Sequence, residues 1–233
     1  MSDCFILVHS PLVGPSTWLP VAEQLSQKGF SVVVPTLTDS PNSTQPYWQQ
    51  YAESIPFALQ GVATDVPLIF VGHSGAGPLL PALRQACRSY AVSGYIFVDA
   101  GLPQDRASPL DLIRSEGGDW VEAFQQHLVT GGRFPDWTEN DLRDIVPDAH
   151  TRQQLLAELR PRGLDFFEQP IPVFEGWPDA RCAYLRFSTA YLSYTLEAQR
   201  RGWPVRVLEA GHFHILVEPV AVAQILLQLI AGS

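Results

Sequence analysis

Six apolar runs of strand length recur along the 233 residues: CFILVHS (4–10), FSVVVPT (30–36), PLIFVGH (67–73), GYIFVDA (94–100), CAYLRFS (182–188) and PVRVLEA (204–210). They are apolar at consecutive positions, not alternate ones, so both faces of each strand must be covered. Strands covered on both faces belong to parallel sheets. Helical patterns separate the runs, at 15–29, 47–60, 75–90, 190–202 and 219–232. The first has Ser16 or Thr17 as N-cap and Gly29 as its stop, and the second is interrupted by Pro56. This alternation predicts an α/β chain built on a doubly wound, mostly parallel sheet.

One stretch breaks the rhythm. Between Gly101 and Arg181 no convincing strand occurs. Helix candidates stand at 118–128 and 148–160, Thr138-Glu139-Asn140-Asp141 forms an N-cap box variant, and Pro and Gly punctuate the rest. So long an insertion exceeds what a crossover needs. The expected organisation is a core of residues 1–101 and 181–233, with residues 102–180 as a helical cap over the carboxyl edge of the sheet.

Charge and cysteine content exclude several classes of function. Charged residues are 17% of the chain and the net charge is −9, with 15 Lys plus Arg and no basic run. Arg200–Arg201 reads as a charged helix end, so no nucleic acid partner is expected. Cys4, Cys87 and Cys182 are far apart and odd in number. They match neither a disulfide framework nor a metal site and point to a reducing compartment. The first residues, MSDCFILVHS, lack a basic n-region, and the longest apolar stretch, ILLQLIA (225–231), is far short of a membrane span. A soluble cytoplasmic protein is expected, without membrane attachment. No P-loop and no strand-linked G-x-G-x-x-G is present, so no cofactor is expected. The oligomeric state is not specified.

Within Gly72-His73-Ser74-Gly75-Ala76-Gly77, small residues flank a serine that follows an apolar strand and opens a helical run. Such a turn brings strand and helix backbones close together and exposes the serine at its apex. The plain alternative is a tight strand–helix turn with a polar residue in it. A serine hydroxyl needs a general base near neutral pH. Among six histidines, His212 lies just beyond the last strand, in AGHFHILVEP (210–219), where a base reaches over the sheet edge. His214 alternates with it and points elsewhere. No third ligand accompanies the His-x-His pair, so no metal is expected. His73 packs or hydrogen-bonds locally within the turn, and His127 and His150 read as surface residues.

With VHSPLVGPSTW (8–18), VGHSGAG (71–77), IFVDAGLP (96–103) and GHFHILVEP (211–219), the chain resembles the small, capped α/β-hydrolase-fold proteins that include plant esterases and hydroxynitrile lyases. The resemblance spans nearly the whole chain. It implies Ser74 as nucleophile and His212 as base. Two features depart from the family pattern. The acid usually follows the strand that here reads CAYLRFS, but Thr189, Ala190, Tyr191 and Leu192 come next. Asp99, ending the preceding strand, is the favoured acid, as in a minority of the family. Glu197 and an acid-free dyad are the alternatives. The oxyanion hole should take one N–H from Gly75 and another from the turn after the first strand. That turn reads His9-Ser10-Pro11, and Pro11 has no N–H, which leaves Leu12 as the expected second donor.

Two functions follow from the resemblance. One is a serine hydrolase that cleaves a small apolar carboxylic ester or thioester through an acyl-enzyme. Its candidate substrate-facing aromatics are Trp120, Phe124, Phe134, Trp137, Phe166, Phe167, Phe174 and Trp177, though ordinary packing accounts for most of them. The other is a repurposed fold: a lyase, a cyclase or a non-catalytic small-molecule binder. Epoxide and halide chemistry needs a carboxylate where Ser74 stands.

Overall fold

The computed structural model describes residues 3–40 and 42–231. The six apolar runs form β1 (Cys4–Val8), β2 (Ser31–Val33), β3 (Leu68–His73), β4 (Val92–Val98), β5 (Arg181–Arg186) and β6 (Val205–Val207). They make one parallel sheet in the order β2-β1-β3-β4-β5-β6. Most strands stop before the apolar run does. The overhanging residues, among them His9, Ser10, Asp99 and Ser188, turn out of the sheet at its carboxyl edge.

Alternation of side chains across the pleat explains why each strand is apolar throughout. Phe5, Leu7, Ile69, Val71, Ile96, Val98 and Leu185 pack on one face. They meet Trp18 and two helices, α1 (Leu19–Gln27) and one near the chain's end that carries Val222, Leu226 and Leu229. Cys4, Ile6, Leu68, Phe70, Tyr95, Phe97 and Tyr184 face the other way, toward α2 (Tyr47–Ala58) and α3 (Leu80–Gln85). The indole N–H of Trp18, fully buried, donates to the Val8 carbonyl at 2.9 Å. Pro56 does not interrupt α2. It sits in the last turn, so only one interior hydrogen bond is lost. The run from residue 75 opens as a 3-10 turn, Ser74–Leu79, before α3 begins.

Between β4 and β5 the described residues hold no strand of the sheet. They form α4 (Pro109–Glu116), α5 (Trp120–Val129), α6 (Glu139–Leu142), α7 (Ala149–Ala157) and α8 (Leu164–Phe167). Thr138 does cap α6, its N–H and hydroxyl both donating to Asp141. After β5 come α9 (Leu192–Arg200), then, past β6, α10 (His214–Val217) and α11 (Pro219–Ala231). All three cysteines are free and buried, and burial raises the Cys4, Cys87 and Cys182 thiols to about 11, 11 and 12. No helix among the described residues is long and apolar enough to cross a membrane.

A nearly buried ion pair ties the 102–180 segment to the loop that follows β2. Arg162 donates to both oxygens of Asp39 at 2.8 and 2.6 Å, and its guanidinium lies over the Tyr47 and Phe166 rings. Asp39→Ala strands that guanidinium in a low-dielectric site, and a loss of about 3 kcal/mol is expected. Urea midpoints check this. Adding Arg162→Met to Asp39→Ala should recover most of the loss.

The strand order reverses direction between β1 and β3. Open α/β sheets form their ligand crevice at such a switch point, beyond the carboxyl ends of the strands. The turn carrying Ser10 and the turn carrying Ser74 flank that crevice.

Candidate active site

Ser74 immediately follows β3 and has φ 58°, a left-handed conformation that is costly for a residue with a side chain. The turn survives because its surroundings are close-fitting. A Cβ at Gly72 would press on the Leu80 side chain at 3.2 Å, and one at Gly77 would run into the Gly101 carbonyl oxygen. Gly77, one residue beyond Ala76, is the position in this turn where a side chain would collide with backbone.

Asp99 leaves β4 with φ 42° and is fully buried. One carboxylate oxygen accepts the N–H groups of Phe187 and Ser188 at 2.8 and 2.9 Å. The other lies 2.7 Å from both the Ser188 hydroxyl and Nδ1 of His212. Burial alone would raise its pKa, but the bonds from His212, Ser188 and Phe187 outweigh burial and hold it below the ordinary carboxylate range. An ionised carboxylate only accepts, so Nδ1 of His212 carries a proton, and in the neutral ring Nε2 is left as an acceptor. The loop after β5, where the resemblance located the acid, supplies donors to Asp99. Glu197 lies on α9, paired with Arg200 and Arg201 at 2.6 and 2.8 Å.

His73 and Tyr191 both stack on the His212 ring, at centroid distances of 4.6 and 5.3 Å. His73 Nε2 donates to the His212 carbonyl at 3.0 Å, so it is more than local packing in the turn. Burial, helped by the neighbouring His212, lowers its pKa to about 3 and keeps it neutral. The Tyr191 hydroxyl is 3.3 Å from Ser74 Oγ. Burial raises its pKa, so it remains a phenol. Tyr191 thus touches both the serine and the histidine. Only its place after β5 hinted at this in the sequence. His214 rests against Phe187, and His127 and His150 are exposed. No cluster of three metal-ligating side chains occurs among the described residues.

Ser74 and His212 open into a cavity of about 620 Å³. Its lining is mostly apolar, with Trp120, Phe124, Phe134, Trp137, Phe166 and Phe167 contributed by the 102–180 segment. Phe174 and Trp177 do not reach it; Trp177 packs on Tyr95 instead. Most of the candidate aromatics therefore face the cavity, a role that packing alone does not require. Gly75 and Leu12 also line it. The Leu12 N–H points at the Ser10 hydroxyl, 3.4 Å away, and its carbonyl accepts from Arg160 at 2.9 Å.

Residues 5–225 match the model of the Alpha/beta hydrolase family. Among solved structures, the chain is similar to an extracellular alpha/beta-hydrolase from a Paenibacillus species, described as sharing structural and functional homology with tobacco salicylic acid binding protein 2. Identity is 17%, the TM-score is 0.76, and the match covers 97% of this chain and 98% of that one. Polyneuridine aldehyde esterase is 16% identical at a TM-score of 0.74, covering 98% and 99%. A pyrethroid hydrolase from Sphingobium faniae JZ-2 is 18% identical at a TM-score of 0.72, covering 99% and 98%. No curated protein sequence matches the chain.

Proposed function

Because the chain belongs to the alpha/beta hydrolase family, we propose that it is a serine hydrolase cleaving a small, apolar carboxylic ester or thioester. The observation that carries this reading is the 2.7 Å contact between buried Asp99 and His212 Nδ1, beside a serine held in a left-handed turn. In the proposed cycle Ser74 Oγ attacks the acyl carbon. Its proton moves to His212 Nε2, and the carbonyl electron pair moves onto oxygen, facing the Gly75 N–H. His212 then protonates the departing alkoxide or thiolate, leaving an acyl-enzyme. Water, deprotonated by His212, attacks that acyl carbon, and Ser74 leaves with its proton restored. Asp99 keeps the imidazole in the tautomer that accepts from serine.

In this reading residues 102–180 act as a cap, and the aromatics they lend to the cavity select apolar substrates of modest size. The extracellular and esterase relatives are similar in fold only. They agree with hydrolysis, and at 16–18% identity the substrates in their names do not carry over to this chain. The buried free thiols suit a reducing compartment, and a cytoplasmic location accompanies the proposal.

A fluorophosphonate tests the reading without knowledge of the substrate. Intact mass should show one adduct on the wild type and none on Ser74→Ala or His212→Ala. A folded wild type that takes no adduct would favour the second reading, a repurposed lyase, cyclase or binder. Pro11, which removes a backbone donor from the turn after β1, is the observation on that side.

A further inference from the structure

The turn after β1 faces the nucleophile turn with a side-chain hydroxyl where a backbone N–H is missing. At Pro11 the ring Cδ occupies the direction that an N–H would take, and it lies 3.6 Å from where a Cβ would stand on Gly75. Any other residue at this position would carry an N–H in place of that ring carbon. Ser10 Oγ lies closer to the same point, at 3.2 Å. Ser10 is only 2% exposed, yet it lines the cavity that holds Ser74. Its oxygen accepts from the Leu12 N–H at 3.4 Å, and among the described residues its own proton has no acceptor. We propose that the Ser10 hydroxyl is the second oxyanion donor, taking the place of the backbone N–H that Pro11 deletes.

The proposal rests on the hydrolase reading of the same site. When Ser74 Oγ bonds to the acyl carbon, the carbonyl π pair moves to oxygen and the serine proton moves to His212. The new oxyanion then accepts from the Gly75 N–H and the Ser10 O–H. Ser10 Oγ lies beside Gly75 and both line the cavity that holds Ser74, so an oxyanion held by the Gly75 N–H has the Ser10 hydroxyl as its neighbour. The Leu12 N–H acts through Ser10: by donating to Oγ it orients the hydroxyl and polarises it toward the oxyanion. A neutral carbonyl gains less from these donors than the anion does, so Ser10 should act on turnover more than on binding. Tyr191, the other hydroxyl at Ser74, stacks on His212 and so stands on the side of the base.

The test uses steady-state hydrolysis of 4-nitrophenyl acetate and inhibition by an aryl trifluoromethyl ketone, which forms a tetrahedral adduct on serine. Ser74→Ala establishes whether turnover depends on the proposed nucleophile. Ser10→Ala is expected to lower kcat by about 100-fold, with KM within about threefold, and to weaken the ketone by a similar factor. Ser10→Cys, slightly larger and a weaker donor, should fall between Ser10→Ala and wild type. Adding Pro11→Ala to Ser10→Ala returns an N–H to the turn and should recover at least tenfold. Ser74-dependent turnover that survives Ser10→Ala within about threefold overturns the Ser10 assignment and leaves the hydrolase reading standing. The assignment is equally overturned if kcat falls in Ser10→Ala without weaker ketone binding, or if Tyr191→Phe rather than Ser10→Ala weakens the ketone. Absence of Ser74-dependent turnover in the wild type removes the hydrolase reading and the Ser10 role together.

Discussion

Asp99→Asn is expected to lower kcat by about 10⁴-fold, in line with the loss when such a buried carboxylate becomes an amide, while Glu197→Gln stays at the wild-type rate. The amide is nearly the same size as the carboxylate, and its oxygen still accepts the N–H groups of Phe187 and Ser188. Its NH2, however, faces the Ser188 hydroxyl and His212 Nδ1. A donor there favours the tautomer with the proton on Nε2, which cannot take the proton of Ser74. The defect should therefore appear in kcat, with little change in thermal stability. Rates on an activated ester, alongside a melting curve for each variant, check this. An Asp99→Asn enzyme within tenfold of wild type would move the acid elsewhere or leave a dyad. Glu197 engages two arginines on its own helix, so its replacement should cost no more than a surface ion pair.

Mild acid should destabilise the fold well before carboxylates titrate. Burial, with the positive Arg160 nearby, lowers His9 from 6.5 to about 4, and burial with His212 lowers His73 from 6.5 to about 3. Both folded-state values lie below the unfolded one. Between pH 6.5 and about 4 the unfolded chain therefore binds more protons, so stability is complete above that window and falls as pH falls through it. At pH 5 each histidine costs about 2 kcal/mol. Asp99 contributes only below its unfolded value of 3.8, outside this range. Urea midpoints should drop steeply from pH 7.5 to 5. His9 accepts the Leu37 N–H at Nε2, 3.1 Å away. His9→Gln keeps an acceptor for that N–H without a proton to gain, and should remove about half the slope. A flat profile in the wild type, or an unchanged slope in His9→Gln, would contradict buried neutral imidazoles at these sites.

The parallel sheet, the serine turn and the histidine beyond the last strand are legible in the sequence because each is a local pattern. A doubly covered strand must be apolar at every position, and a strand–helix turn of this tightness must carry small residues beside Ser74. Pro56 is ambiguous in the sequence for a related reason: its penalty depends on where in the helix it falls, and helix ends are weakly encoded.

The carboxylate beside His212 was not decided by local pattern. Asp99 and His212 are 113 residues apart, and Asp99 competed in the sequence with Glu197 and with no acid at all. The choice depends on the loop after β5, whose donors from Phe187 and Ser188 make a buried charge tolerable at the end of β4. The sequence located the turn holding Ser10 and the loop holding Tyr191 near Ser74 but not which side chains reach it, because the three converge from separate strand ends. The sequence by itself determined which segments are strands and helices, since periodicity and turn chemistry act over a few residues. Tertiary structure alone decided which polar groups meet at the carboxyl edge, since the cost of burying each is set by partners distant in the chain.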